Sequence, residues 1–259
     1  MEKKDDEKLI IAKLNDKIRI CRTKNRIVNT EFLNMYQENI IRKELDKLRE
    51  RNFYFTGGFE EAESKLLIIY PDKLNEDIVL DNIGNIIKAI QIKLPNEQKG
   101  KYAHRDYLGT IMSFGLERER IGDILVYDNK AYILVLKENA EYIKTSLQNT
   151  IKFKKSNIEI ININEIEIKE PEFEEVKISI NSNRLDNFVS EIAKVSRKRA
   201  TELIESELVS INCKVESKQT KQVNQGDVLI IRGYGKFIIC ESLNINKKGK
   251  EVIIIKKYK

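Results

Sequence analysis

Histidine is nearly absent from this chain of 259 residues: His104 is the only one. That leaves little material for histidine-rich metal sites or for most His-based catalytic arrangements. Cysteine is scarce as well. Cys21, Cys213 and Cys240 lie far apart without CxxC spacing, which suggests neither a disulfide framework nor a zinc site and reads as three reduced, mostly structural thiols. Long apolar runs are missing too. Leu66–Tyr70 and Ala131–Leu136 are among the longest, and neither approaches the roughly 20 residues of a membrane-spanning helix. The opening MEKKDDEK is polar after its first residue and does not form a signal peptide. These absences lead to the expectation of a cytoplasmic monomer without membrane span, metal or other cofactor.

What is present is charge, and its placement is uneven. Hydrophobic residues make up 41% and charged residues 34%, enough apolar material for two or three cores under a heavily charged surface. The net charge is +6. Residues 181–259 hold 16 Lys or Arg against 9 Asp or Glu, whereas residues 1–180 hold 31 against 32. The whole excess sits in the last third, which is the electrostatic footprint of a polyanion binder.

Residues 1 to about 80 read as an α-rich α/β domain. Asp5–Ile20 and Thr30–Leu48 carry apolar positions such as Phe32, Met35 and Tyr36 at helical spacing. Phe53-Tyr54-Phe55 predicts a short strand ending at Gly57-Gly58, then Phe59–Lys65 a helix, then Leu66–Tyr70 a strand stopped by Pro71. Residues 81–168 alternate more regularly. Strand Ile86–Leu94 precedes helix Arg105–Leu116. Strands Asp123–Tyr127 and Lys130–Leu136 are joined by the turn pair Asp128-Asn129, and helix Glu138–Leu147 precedes strand Ile158–Ile163. The order β-α-β-β-α-β is the ferredoxin-like or RRM-like pattern. Asn164–Ile180, with six glutamates, two lysines and Pro171, reads as a linker or the acidic edge of the middle domain. The expected fold class is α+β.

The last third is the most informative. Leu185, Phe188, Val189 and Ile192 form the apolar stripe of a helix opened by Arg184. Ser196 fits the N-cap of a second helix, and Arg197, Lys198 and Arg199 fill its first turn. Cations there oppose the helix macrodipole at a cost of roughly 0.3–1 kcal/mol each, and Arg199 stands where a capping box wants Glu or Gln. A bound phosphate would offset these penalties, because free amides and guanidinium groups converge at that end. Ala200, Leu203 and Ile204 make the buried stripe. Strands Val209–Asn212, Val228–Arg232, Phe237–Ile239 and Val252–Ile255 follow, the last expected to close the sheet, with a tight turn at Cys213-Lys214. Lys214, Lys218, Lys221, Arg232 and Lys236 punctuate them and extend the basic surface.

RLD at 184–186, SRKRA at 196–200, LI at 203–204, VSIN at 209–212 and GDVLIIRGYGKF at 226–237 resemble, in order and spacing, the S-four (αL) RNA-binding domain, named after ribosomal protein S-four. Two positions depart from that pattern. Glu207 stands where the family usually has glycine, and Cys213 where Asn-Gly is usual, so a distorted turn is expected after Asn212. Upstream, FTGGFEEAESKLLIIYPD at 55–72, HRDYLGTIMSFGLERERIGDILV at 104–126 and KENAEYIKTSLQ at 137–148 are similar to the YlmH family of bacterial S-four-domain proteins. The resemblance implies an N-terminal α/β domain (1–80), a central RRM-like domain (81–168) and a C-terminal S-four domain (181–259). It implies a non-enzymatic protein that binds rRNA and peptidyl-tRNA on the large ribosomal subunit, in rescue and quality control of stalled translation. By position it places RNA contacts at Arg184, Ser196, Arg197, Lys198 and neighbouring strand lysines. With Arg199 from the helix start, the candidate RNA-binding set is completed by Lys214, Lys218, Lys221, Arg232 and Lys236.

Other signals are weaker. His104-Arg105-Asp106 is similar to the kinase catalytic loop, but the downstream residues and a Gly-rich loop are missing. It also resembles the HRLD motif of pseudouridine synthases, one residue short and without the TSG that follows. An RNA-modifying enzyme using Asp106 is therefore the alternative, with a protein-interaction scaffold tethered to RNA as a third reading. Gly57-Gly58 is no P-loop, because no GKS or GKT follows. The middle domain lacks the aromatic signature of an RRM sheet, and Tyr132 reads as a core or edge residue.

Overall fold

The computed structural model describes residues 2–169, 172–246 and 249–258; Pro171 lies outside them. The chain divides into two compact units, Met1–Ile168 and Lys169–Lys259.

The first unit runs α1 (Glu2–Lys24), β1 (Val28–Asn29), α2 (Met35–Leu48), β2 (Phe53–Thr56), β3 (Leu66–Ile69), α3 (Glu76–Asp81), β4 (Ile87–Lys93), α4 (His104–Met112), β5 (Ile121–Val126), β6 (Lys130–Leu136), α5 (Lys137–Gln148) and β7 (Asn157–Ile161). The helix expected from Thr30 starts later, because Asn34 and Gln37 form a reciprocal capping box. The Gln37 amide donates to Asn34 Oδ1 at 3.0 Å, and the Asn34 amide to Gln37 Oε1 at 2.9 Å.

Phe59–Lys65 is not a helix. The amides of Glu63 and Ser64 donate instead to the Asp123 carboxylate on β5, at 2.7 and 3.0 Å. Burial pushes that carboxyl's pKa up, while the Ser64 side chain and then the two amides hold it down by hydrogen bonding. A Cβ at Gly57 would collide with Ala62 and with the Ser64 carbonyl, so the loop folds back on itself in a way only glycine permits.

Strands β1, β3 and β2 form an antiparallel sheet in that order, and β5-β6-β4-β7 form a four-stranded antiparallel one. Strand β6 is buried along both faces. Ala131, Ile133 and Val135 join Ile90, Ile92 and the helix residues Tyr107, Ile111, Ala140, Ile143 and Leu147 in one core. Leu134 and Leu136 face the other way, into a cluster with Ile87 and with Phe32, Leu66, Ile68 and Tyr70 of the first 80 residues. The two sheets therefore share apolar packing inside one unit. Farther along the same face Tyr132 is fully buried. The Tyr127 ring meets it edge-on at 5.9 Å, and Gln91 donates to its hydroxyl at 3.2 Å.

The second unit runs β8 (Phe173–Ile180), α6 (Leu185–Ala193), α7 (Arg197–Glu205), β9 (Val209–Ile211), β10 (Lys214–Val215), β11 (Val228–Ile231), β12 (Gly235–Ile245) and β13 (Glu251–Tyr258). Its antiparallel sheet has the order β10-β9-β11-β12-β13-β8. Two expectations change here. Phe173–Ile180 is a strand rather than linker, and β13 is interior rather than closing. The cause is a period of two that the glutamates mask: Val176, Ile178 and Ile180 pack into the core, while Glu174 and Glu175 lie opposite Lys257 and Lys256.

The two departures from the S-four pattern fall at a helix end and at a strand turn. Glu207 follows α7 at φ 57°. The Leu208 amide donates to the Leu203 carbonyl at 3.1 Å and the Glu207 amide to Ile204 at 3.0 Å, which is a Schellman ending. Leu203 and Leu208 share the core beneath it. Asn212 and Cys213, at φ 51° and 63°, form the two-residue turn between β9 and β10. The turn keeps its primed geometry, one residue earlier than Cys213-Lys214, and places a cysteine in left-handed backbone. Both sites favour glycine, since left-handed backbone costs other residues roughly 1–2 kcal/mol.

Glu207→Gly and Cys213→Gly are each expected to raise unfolding free energy by about 1 kcal/mol, read as a higher urea midpoint at unchanged slope. Asp123→Ala strands two loop amides and is expected to cost about 2 kcal/mol by the same measurement.

Candidate nucleic-acid interface

Helix α7 begins where the chain turns between two helices. Helix α6 ends with Lys194 at φ 56°. The Val195 amide reaches back to the Ser190 carbonyl at 3.1 Å, and the Ser190 hydroxyl donates to the Val195 carbonyl at 2.7 Å. This short corner delivers Ser196 to the N-cap, where its Oγ accepts from the Arg199 amide at 3.2 Å. Arg197, Lys198 and Arg199 then fill a first turn that holds no acidic residue, all three exposed.

The three cations are not equivalent. Arg199 donates to Glu202 one turn on, at 2.9 Å, and this carboxylate raises the guanidinium pKa. Arg197 and Lys198 have no carboxylate within ion-pairing distance among the described residues. Their charge faces solvent and adds to the partial positive charge of the helix end.

A neighbouring loop is tied to the same place. The Leu185 amide donates to the Lys221 carbonyl at 2.8 Å, and the Asp186 amide to Gln219 at 3.2 Å. The Thr201 hydroxyl, one turn into α7, donates to Gln219 Oε1 at 3.0 Å. Lys218 and Lys221 are exposed on this loop. Arg184 stands at the N-cap position of α6, and Asp186 grips its guanidinium in a two-pronged ion pair at 3.0 and 2.8 Å. Asp186 is only 6% exposed, so the guanidinium is held rather than free to swing. The loop carrying Lys218 and Lys221 thus ties the start of α6, where Arg184 stands, to Thr201 on α7, whose first turn carries Ser196, Arg197, Lys198 and Arg199.

The other candidates stand on different elements. Lys214 is half-buried on the edge strand β10. Arg232 is exposed in the β11–β12 turn, and its amide donates to the Leu208 carbonyl at 2.9 Å. Lys236 on β12 places its ammonium 4.5 Å from the centre of the Tyr258 ring. Asp186, Thr201 and Gln219 were missed by sequence reasoning. The RLD spacing carried a signal for Asp186, because a carboxylate two residues after a helix-opening arginine can grip it; nothing local marks Gln219.

Asp106, the residue an enzyme reading would need, serves as a cap. Its carboxylate accepts from the Ala103 amide at 3.0 Å and meets the Lys152 ammonium at 3.3 Å. The amide bond, then Lys152, holds its pKa below the usual carboxylate range.

Removing the cap hydroxyl with Ser196→Ala is expected to lower stability by about 1 kcal/mol while leaving the circular dichroism spectrum unchanged.

Three comparisons bear on this chain. A family model described as "Putative RNA-binding domain in YlmH" matches residues 85–170. The ribosome-associated protein quality control protein P2 of Bacillus subtilis (strain 168) is 26% identical over 245 residues, covering 95% of this chain and 93% of that protein. The solved structure of cell division protein ylmH from Streptococcus pneumoniae matches at 19% identity and a TM-score of 0.48, over 62% of this chain and 93% of the other. Residues 85–170 are thus similar to the RNA-binding domain described for YlmH, and the Bacillus relative is similar over nearly the whole chain.

Proposed function

We propose that this chain is a non-enzymatic RNA-binding protein that docks on the large ribosomal subunit, contacts rRNA and peptidyl-tRNA, and acts in rescue or quality control of stalled translation. The observation that carries the reading is the start of α7, where uncompensated cations share a helix N-terminus with free amides. Such a site is unfavourable in isolation and becomes favourable when a phosphate group binds. The match to an RNA-binding domain model and the name of the Bacillus relative agree with it.

The domain reading belongs to the same proposal. A sheet ordered β5-β6-β4-β7 with two helices on one face supports an RRM-like domain over residues 81–168. The helix pair and hairpins after Arg184 support an S-four domain. Asp106 lies bound to an amide and a lysine, which disfavours the nucleophile role.

Co-sedimentation of the full chain with large ribosomal subunits tests the proposal. Arg197→Ala with Lys198→Ala is expected to weaken binding by about 1–3 kcal/mol in total, and to reduce the slope of log affinity against log salt by about two. Unchanged co-sedimentation of this double variant would overturn the assignment of the site.

A further inference from the structure

In a ferredoxin-like sheet the face opposite the helices is the natural platform for stacked bases. Here that face is occupied. One end lies under Phe32, Leu66 and Ile68. Toward the other, Tyr132 is fully buried, Lys130 is paired with Glu167 at 2.5 Å, and the Tyr127 hydroxyl donates to the Glu167 carbonyl at 2.7 Å. An RNA partner of residues 85–170 would need another surface.

The end of this sheet away from the shared apolar cluster supplies one. Residues 99–105 follow β4, and residues 149–156 precede β7; the two strands pair at Lys93 and Asn157, which brings both segments to one end. They are locked together there. The Tyr102 hydroxyl donates to the Lys152 carbonyl at 3.2 Å. The Tyr102 ring meets Phe153 edge-on at 5.3 Å, and Phe153 stacks on Tyr107 at 5.2 Å. The two segments hold Lys99, Lys101, Arg105, Lys152, Lys154 and Lys155, and no Asp or Glu. Lys99 leans on Asp128 at 3.7 Å and Lys152 on Asp106 at 3.3 Å. The other four are exposed, with no carboxylate in ion-pairing range among the described residues.

We infer that this lysine- and arginine-lined end of the middle sheet is a second RNA-binding surface, which grips the phosphodiester backbone and leaves the sheet face unused. The inference rests on the RNA-binding reading above and adds a separate site to it. Aromatic packing beneath exposed cationic groups suits backbone contacts, which position RNA without reading its sequence. Tyr102 is half-buried, with Lys101 5.7 Å and Lys152 5.6 Å from its ring centre.

The test measures the affinity of the full chain for a fluorescein-labelled RNA stem-loop across a salt series. Lys101→Glu/Lys154→Glu/Lys155→Glu is expected to weaken binding about tenfold or more and to flatten the salt dependence. The neutral Lys→Gln triple should weaken it less. Thermal unfolding midpoints should stay unchanged, since all three side chains are exposed. Ultraviolet crosslinking of the wild type should label the peptide around Tyr102. If the charge-reversed triple binds like wild type while Arg197→Ala/Lys198→Ala binds weakly, this second surface is wrong and the first stands. Weak binding by the triple alone upholds this surface and removes the first. If the triple keeps RNA binding but loses ribosome co-sedimentation, the partner here is protein and the inference fails. A wild type that does not bind the stem-loop overturns both.

Discussion

Two of the three cores of the first unit depend on one constraint: strand β6 has apolar side chains on both faces. Each face must be covered, because exposing Ile133 and Val135 or Leu134 and Leu136 would forfeit roughly 1.5–3 kcal/mol per side chain. Helices α4 and α5 cover the first face, and the three-stranded sheet with its flanking residues covers part of the second. A four-stranded sheet of this order ordinarily leaves one face for a ligand. Here that face is spent on internal packing, so chemistry directed outward is left to the loops at the strand ends.

The second unit solves a different problem, that of holding several cations at a place electrostatics disfavours. The cations in the first turn of α7 are exposed and not restrained by burial. The restraint comes from short-range hydrogen bonds: the Ser190–Val195 corner, the Ser196 cap, the Asp186 grip on Arg184, and Thr201 fastening Gln219. Each acts on backbone or on a neighbouring polar group and leaves Arg197 and Lys198 outward. The left-handed residues Lys194 and Glu207 close both helices. They keep α6 and α7 to nine residues each, and the free ends of short helices stay close to the loops beside them.

Much of this was legible in the sequence, and the failures have identifiable causes. Lys130–Leu136, Ser196 as a cap and the stripe Ala200, Leu203, Ile204 could be read because local pattern and tertiary burial agree there. Phe59–Lys65 could not, because its amides bond to Asp123, 59 and 60 residues away, and no local pattern reports so distant an acceptor. Phe173–Ile180 was hidden by its glutamates, whose partners Lys256 and Lys257 lie at the other end of the unit. The pairing of Arg199 with Glu202 was in plain view at helical spacing. The grouping of Lys218 and Lys221 with the helix start depended on a loop path that side-chain chemistry alone does not specify.

Sharing of one apolar cluster between Phe32, Leu66, Ile68 and Tyr70 on one side and Leu134 and Leu136 on the other also sets an order of events during synthesis. A growing chain that has released its first 80 residues holds a sheet whose second face still lacks Ile83, Ile87, Leu134 and Leu136. The burial of that face is completed when residue 136 has emerged. The core around α6 and α7 draws only on residues 176–255 and closes without help from upstream. Translation therefore meets two folding thresholds in this chain, one after β6 and one near its end.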